Sequence, residues 1–270
     1  MKIWFWSVMA MITFTLASGL TFEADAAEFA DRYAELEKCE WTSPGGTLLY
    51  RKFTPELKAG EKYPLVIFLH GAGERGANNI TQVSGQDAFL NLIFGEEGAK
   101  YPAYLIAPQC PNEKKWCEVD WSQKNSHATP ETPSYGMKLL HELLQEMKAK
   151  DQIDPDRIYV TGISMGGYGT FDFLVRYSDE LAAAIPVCGG ADNEKLATMP
   201  ELKKIPVWIF HGGADGAVPT QRSRDAFAAL QKNECDVQYT EFPGVGHGCW
   251  GLAYHTKGLA DWLFSQKRTK

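Results

Sequence analysis

Gly162-Ile163-Ser164-Met165-Gly166 is the stretch on which the fold of this chain turns, because of what flanks it. Before it runs Arg157-Ile158-Tyr159-Val160-Thr161, a β-branched and apolar run that reads as a buried strand. After it, Gly167-Tyr168-Gly169-Thr170-Phe171-Asp172-Phe173-Leu174-Val175 starts with small residues and continues as a helix. A serine on so sharp a strand-to-helix turn is held in strained backbone geometry with its hydroxyl pushed into solvent. Gly162 and Gly166 are needed because a β-carbon at either would collide where strand and helix cross. Ser164 is therefore the candidate nucleophile.

On both sides of this turn, strand-like and helix-like segments alternate. Strands are expected over 47–53, stopped by Thr54-Pro55, and over 63–69, a continuous apolar run suited to a strand covered on both faces. A helix near 87–94, a strand over 104–107 and a long helix over 134–150 follow. The long helix carries Met137, Leu140, Leu144 and Met147 at helical spacing. Asp154-Pro155-Asp156 opens the strand that leads to Ser164. Further strands are expected over 183–187, 207–210 and 237–242, with helices over 220–231 and near 257–264, and a short amphipathic helix over 29–39. The pattern predicts an α/β fold with a mainly parallel sheet and helices on both faces. In such sheets, catalytic groups sit in loops beyond the carboxyl ends of the strands.

A serine hydroxyl needs a base within hydrogen-bond reach, and the base needs an orienting acid. Two post-strand loops supply them. His211-Gly212-Gly213-Ala214-Asp215-Gly216-Ala217-Val218-Pro219 offers Asp215, with Asp192 as rival acid, and Pro243-Gly244-Val245-Gly246-His247-Gly248-Cys249-Trp250 offers His247. Acyl transfer also requires backbone N–H groups aimed at the developing oxyanion. Met165, directly after the nucleophile, is one expected donor. The second is expected from His70-Gly71-Ala72-Gly73-Glu74-Arg75-Gly76, with Ala72 preferred over Gly73. His70 reads as a brace for that loop. Glu74 and Arg75 read either as substrate contacts or as a pair. Residues 110–133 form a long irregular segment, expected to wall the substrate pocket with Trp116 or Trp121; simple loop packing is the competing reading. Trp250 is a third aromatic candidate.

With 270 residues the chain can bury one substantial core, and its net charge of −7 without an internal basic cluster argues against nucleic acid as a partner. Lys2 followed by an apolar run and then Ala24-Asp25-Ala26 reads as a signal peptide over 1–26, leaving one catalytic domain over 27–270. The run is short for a membrane anchor, so an exported protein without stable membrane insertion is expected. Six cysteines lie beyond that leader. Cys188 reads as a buried free thiol, and a bridge among Cys110, Cys117 and Cys249 is expected to be feasible. The spacings do not suit structural zinc, and no histidine–carboxylate motif suits a catalytic metal.

Together the His70–Gly76, Gly162–Gly167, His211–Pro219 and Gly244–His247 motifs resemble those of the α/β-hydrolase superfamily. The likeness is to its exported esterase and prolyl-oligopeptidase-like branch, which includes feruloyl and acetylxylan esterase-type and dienelactone hydrolase-like enzymes. The resemblance runs from about Gly46 to the last helix. It implies a cofactor-free serine hydrolase with Ser164, His247 and Asp215 as its triad, acting on small-molecule or saccharide esters. The chain has no stretch corresponding to the β-propeller of prolyl oligopeptidases, a departure that favours an open-site esterase over a peptidase acting on short peptides. A hydrolase-like binding protein without catalysis is the reading from another class. The motifs do not specify the acyl group, the alcohol or the oligomeric state.

Overall fold

The computed structural model describes residues 35–121 and 123–269. Eight strands make one sheet: β1 (Glu37–Ser43), β2 (Gly46–Phe53), β3 (Tyr63–Leu69), β4 (Tyr104–Gln109), β5 (Ile153–Ile163), β6 (Ala183–Val187), β7 (Val207–Gly212) and β8 (Val237–Phe242), in spatial order β1-β2-β4-β3-β5-β6-β7-β8. The hairpin β1–β2 pairs antiparallel with itself and with β4, and the other pairings are parallel. Seven α-helices accompany the sheet among the described residues: α1 (Asp87–Phe94), α2 (Tyr135–Lys150), α3 (Met165–Arg176), α4 (Asn193–Thr198), α5 (Gln221–Lys232), α6 (Trp250–Tyr254) and α7 (Leu259–Ser265). This is the expected α/β architecture.

All seven residues of β3 are buried. Side chains alternate across a strand, so Leu65, Ile67 and Leu69 enter one core cluster while Val66 and Phe68 enter another. The first cluster is closed by α2, α3 and α5 through Met137, Leu140, Leu144, Phe171, Leu174 and Ala226. The second is closed by α1, α6 and α7 through Phe89, Tyr254, Leu263 and their neighbours. The continuous apolar run of β3 thus follows from helices on both faces. Among the described residues no helix is long and apolar enough to cross a membrane.

Two expectations need correction. Residues 37–39 belong to β1, not to a helix; residues 29–34 and the leader lie outside the described residues. In β1 the partly buried positions are Cys39, Trp41 and Ser43, a period of two, while Glu37, Lys38, Glu40 and Thr42 are exposed. Trp41 packs on the core and donates from Nε1 to Glu146 at 3.0 Å. The short helices α4 and α6 were not expected, because five or six residues are too few to display a helical period.

Strand order reverses around β3, whose neighbours are β4 on one side and β5 on the other. Crevices form at such points, beyond the carboxyl ends of the strands. Leu69 pairs with Gly162, so the loop after β3 and the turn after β5 leave the sheet side by side.

Candidate active site

Ser164 stands between β5 and α3 with φ 53° and ψ −115°, a conformation that costs a non-glycine residue about 1–3 kcal/mol. The surrounding contacts hold it there. A β-carbon at Gly162 would lie 2.5 Å from the Gly166 carbonyl oxygen and 2.6 Å from that of Leu69, and one at Gly166 would overlap the Leu69 oxygen outright. The Ser164 N–H donates to Val187 O at 3.0 Å, tying the turn to β6. Strand, turn and helix therefore cross at backbone contact distance, and the serine side chain is directed away from the crossing.

His247 Nε2 lies 2.8 Å from Ser164 Oγ, and its Nδ1 lies 2.7 Å from Asp215 Oδ2. The structure thus brings together three residues from loops after β5, β7 and β8. Asp215 is buried at its side chain and has four partners. Oδ1 accepts the N–H groups of Ala217 and Val218 at 2.8 and 2.9 Å, and Oδ2 lies against His247 and, at 3.1 Å, His211 Nε2. Burial opposes the charge, but hydrogen bonds from His211, His247, Val218 and Ala217 outweigh it and hold the carboxyl well below the usual range. Asp215 is an anion at any working pH.

His211, to which the motif by itself assigns no role, is fully buried. Its Nδ1 meets Ser223 Oγ at 2.7 Å and its Nε2 meets Asp215 and Val218 O, both at 3.1 Å. With Nε2–H shared between two acceptors, Nδ1 accepts from the serine. Its position four residues before Asp215 at the end of β7 was the only available signal. The rival acid Asp192 is engaged elsewhere: Oδ2 accepts from Thr129 N and Oγ1 at 2.7 and 3.0 Å, and Oδ1 caps α4 through Lys195 N at 3.2 Å.

The loop after β3 begins with His70, fully buried, whose Nε2 accepts the Cys110 N–H at 2.9 Å while Nδ1 lies 2.6 Å from Gly71 O. That pattern requires the neutral imidazole with its proton on Nδ1. Burial, with a smaller contribution from Arg75, pushes its pKa down to about 4. Ala72 opens a single 3-10 turn (Ala72–Glu74) next to the nucleophile turn. Met165 is the first residue of α3, where amide groups lack intrahelical acceptors. Glu74 and Arg75 do not pair with each other. Arg75 Nε donates to Ala72 O at 2.9 Å, and burial raises the Glu74 pKa, with one carboxylate oxygen left without a hydrogen-bond partner.

The three tryptophans separate clearly. Trp116 is fully buried, donates from Nε1 to His70 O at 3.1 Å and packs so closely on Gly136 and Gly169 that neither has room for a β-carbon. It is a core pillar beneath the loop and offers no face to a substrate, which corrects its expected place in the pocket. Trp121 is half-buried. It packs on Cys117, Tyr168 and Val218, with the Lys115 ammonium 4.5 Å and the Arg75 guanidinium 6.0 Å from its ring. It therefore spans from the Ala72 loop to the Asp215 loop. Trp250 stands edge-on to His247 with ring centroids 5.7 Å apart.

All six cysteines are free. The bridge expected among Cys110, Cys117 and Cys249 is not formed. Cys110 packs in the core with Trp116, Cys117 Sγ donates to Asp172 at 3.5 Å, and Cys249 pairs by hydrogen bond with Cys188. Cys188, Asp215 and His247 present ligand-type atoms within 4.8 Å of one another, but the carboxylate and imidazole are already hydrogen-bonded together. A cavity of about 490 Å³ lined by Phe53, Tyr63, Phe94 and Tyr101 lies toward the amino ends of β3 and β4 and holds none of these groups.

Comparison with known proteins agrees with this fold. The sequence pattern of the phospholipase/carboxylesterase family matches residues 54–254. Poly(3-hydroxyalkanoate) depolymerase C of Paucimonas lemoignei is 28% identical over 235 residues, covering 76% of this chain and 50% of the depolymerase. A probable carboxylesterase of Oryza sativa subsp. japonica is 25% identical over 206 residues, covering 71% of this chain and 84% of the relative. Among solved structures, a thermostable esterase superposes with a TM-score of 0.79 at 33% identity, over 87% of this chain and 64% of that one. A ferulic acid esterase shares the fold with a TM-score of 0.64 at 17% identity, over 85% of this chain and 98% of that one. The chain thus spans half the length of the depolymerase and less than two thirds of the thermostable esterase.

Proposed function

The chain belongs to the phospholipase/carboxylesterase family, and from that premise we propose that it is an exported serine esterase working through Ser164, His247 and Asp215. The observation that carries this reading is the continuous relay of contacts, 2.8 Å from Ser164 Oγ to His247 Nε2 and 2.7 Å from His247 Nδ1 to Asp215 Oδ2. Anionic Asp215 holds the imidazole proton on Nδ1, which leaves the Nε2 lone pair to receive the serine proton. Ser164 Oγ attacks the ester carbonyl, and the resulting oxyanion is held by the N–H groups of Met165 and Ala72. Protonated His247 returns its proton to the leaving alcohol, giving an acyl-enzyme. Water, activated by the same histidine, attacks the acyl carbon and frees Ser164.

Trp121, and Trp250 beside His247, support carbohydrate- or hydroxycinnamate-linked esters, because sugar rings and aromatic acids both present flat apolar faces. The leader motif supports export.

Wild type and Ser164→Ala are to be compared on p-nitrophenyl acetate, methyl ferulate, acetylated xylan, an oligo(3-hydroxyalkanoate) and a proline-containing peptide amide. The variant is expected to fall by about 10⁶-fold in kcat on the preferred ester. Preference for the amide would turn the reading to a peptidase, and equal rates in both proteins would overturn the triad.

A further inference from the structure

Arg222, the second residue of α5, is 2% exposed, and its guanidinium hydrogen-bonds to backbone carbonyls and an imidazole. It donates to Gln123 O at 2.9 Å, to Asn125 O, and to His127 Nδ1. Burial works against the charge, Asp225 and Asp120 offset it only in part, and the first turn of a helix is the unfavourable end of its dipole for positive charge. What the arginine secures is the segment 123–127, which carries almost no secondary structure of its own.

Other contacts converge on the same segment. Ser126 Oγ donates to Ala191 O at 3.2 Å and accepts the Asn193 N–H at 2.8 Å, and Thr129 is held twice by Asp192. The His127 ring stacks on Tyr168 at 5.8 Å, and the guanidinium lies 5.1 Å from the same ring. Tyr168 stands four residues after the nucleophile and is fully buried. Gly190, after β6, has no room for a β-carbon because Arg222 Nε fills the space. Arg222 therefore keys together α5, the loop after β6 and residues 123–127, and with His127 it braces Tyr168, a member of the cluster on which Trp121 packs.

We infer that Arg222 is a positioning residue for substrate selection: through His127 and Tyr168 it holds Trp121 as the wall of the acyl pocket. It thereby sets the preference for esters with a flat, bulky acyl group over acetyl esters. The inference rests on the esterase reading above.

The test measures kcat and KM on methyl ferulate and p-nitrophenyl acetate for wild type, Arg222→Met, Trp121→Ala and the double variant, with a thermal melt and fluorophosphonate labelling of Ser164 for each. Arg222→Met is expected to lower the ferulate-to-acetate ratio of kcat/KM about tenfold, mainly through KM on ferulate, the size of one lost aromatic contact. Because both residues act through one wall, the double variant is expected to lower the ratio no further than the larger single effect. Should Arg222→Met fail to fold, Thr129→Val, which loosens the same segment from its other anchor, is expected to shift the ratio in the same direction. A ratio within about twofold of wild type in a folded Arg222→Met or Thr129→Val protein, or full additivity with Trp121→Ala, would overturn the inference. A wild type that neither hydrolyses esters nor takes up the fluorophosphonate would instead remove the esterase reading itself, and the inference with it.

Discussion

Replacing Asp215 by asparagine tests the relay at the point where its geometry is most constrained. In the native site Oδ1 accepts two backbone N–H groups, from Ala217 and Val218, while Oδ2 faces two imidazole nitrogens. The asparagine amide must choose between two orientations. Turning its NH₂ toward Ala217 and Val218 leaves two buried backbone donors unpaired, at about 1–3 kcal/mol each. Turning it toward the histidines keeps both backbone bonds but presents N–H to His247 Nδ1 and His211 Nε2, so His211 must also move its proton to Nδ1 and donate it to Ser223 Oγ. The second orientation is favoured, and it forces His247 into the tautomer with its proton on Nε2. That nitrogen can then no longer take the proton of Ser164 Oγ, although the 2.8 Å contact survives. The expected loss is about 10⁴-fold in kcat, close to 5 kcal/mol of transition-state stabilisation, with little change in KM or melting temperature. Steady-state kinetics on p-nitrophenyl acetate, paired with a thermal melt, measures both. A folded Asp215→Asn protein retaining more than about a tenth of wild-type kcat would refute the tautomer argument.

Stability is expected to fall in mild acid through His70. Its folded pKa of about 4 lies below the ordinary 6.5, so the unfolded chain takes up the proton first as pH falls. The folding free energy it contributes is intact above pH 6.5 and is lost progressively down to pH 4, about 3 kcal/mol in all; urea melts across that window check it, and a flat profile would contradict it. Gly166→Ala is expected to lose at least about 3 kcal/mol, because the new β-carbon meets the Leu69 carbonyl, a backbone atom that cannot swing aside. Soluble yield and circular dichroism report it, and a native-like melt would show that the crossing can relax. Trp116→Ala is expected to cost about 3–5 kcal/mol of stability while leaving the ferulate-to-acetate preference of the remaining folded protein near wild type. A large change in preference with an unchanged melting temperature would return Trp116 to the pocket.

Features that depend on neighbouring residues were legible from the sequence. The Gly162–Gly166 crossing, the buried run of β3 and the amphipathic α2 each express a local rule of spacing or steric fit. Parallel sheets collect post-strand loops at one end, so Ser164, Asp215 and His247 could be named from chain order before any distance was known. The sequence therefore determined the fold class and the constellation at the carboxyl ends of the strands. Which of the two loop tryptophans is buried was not legible. Trp116 and Trp121 lie in one irregular segment, and only the approach of Gly136 and Gly169 buries the first while Tyr168 and Val218 support the second. The engagement of Asp192 by Thr129, the pairing of Cys249 with Cys188 and the reach of Arg222 across to residues 123–127 were equally hidden. Each joins groups far apart in the chain, and no periodicity records which loops will meet once the sheet has closed. Tertiary structure alone decided these contacts, because they form between segments whose backbone path is set by packing rather than by their own composition.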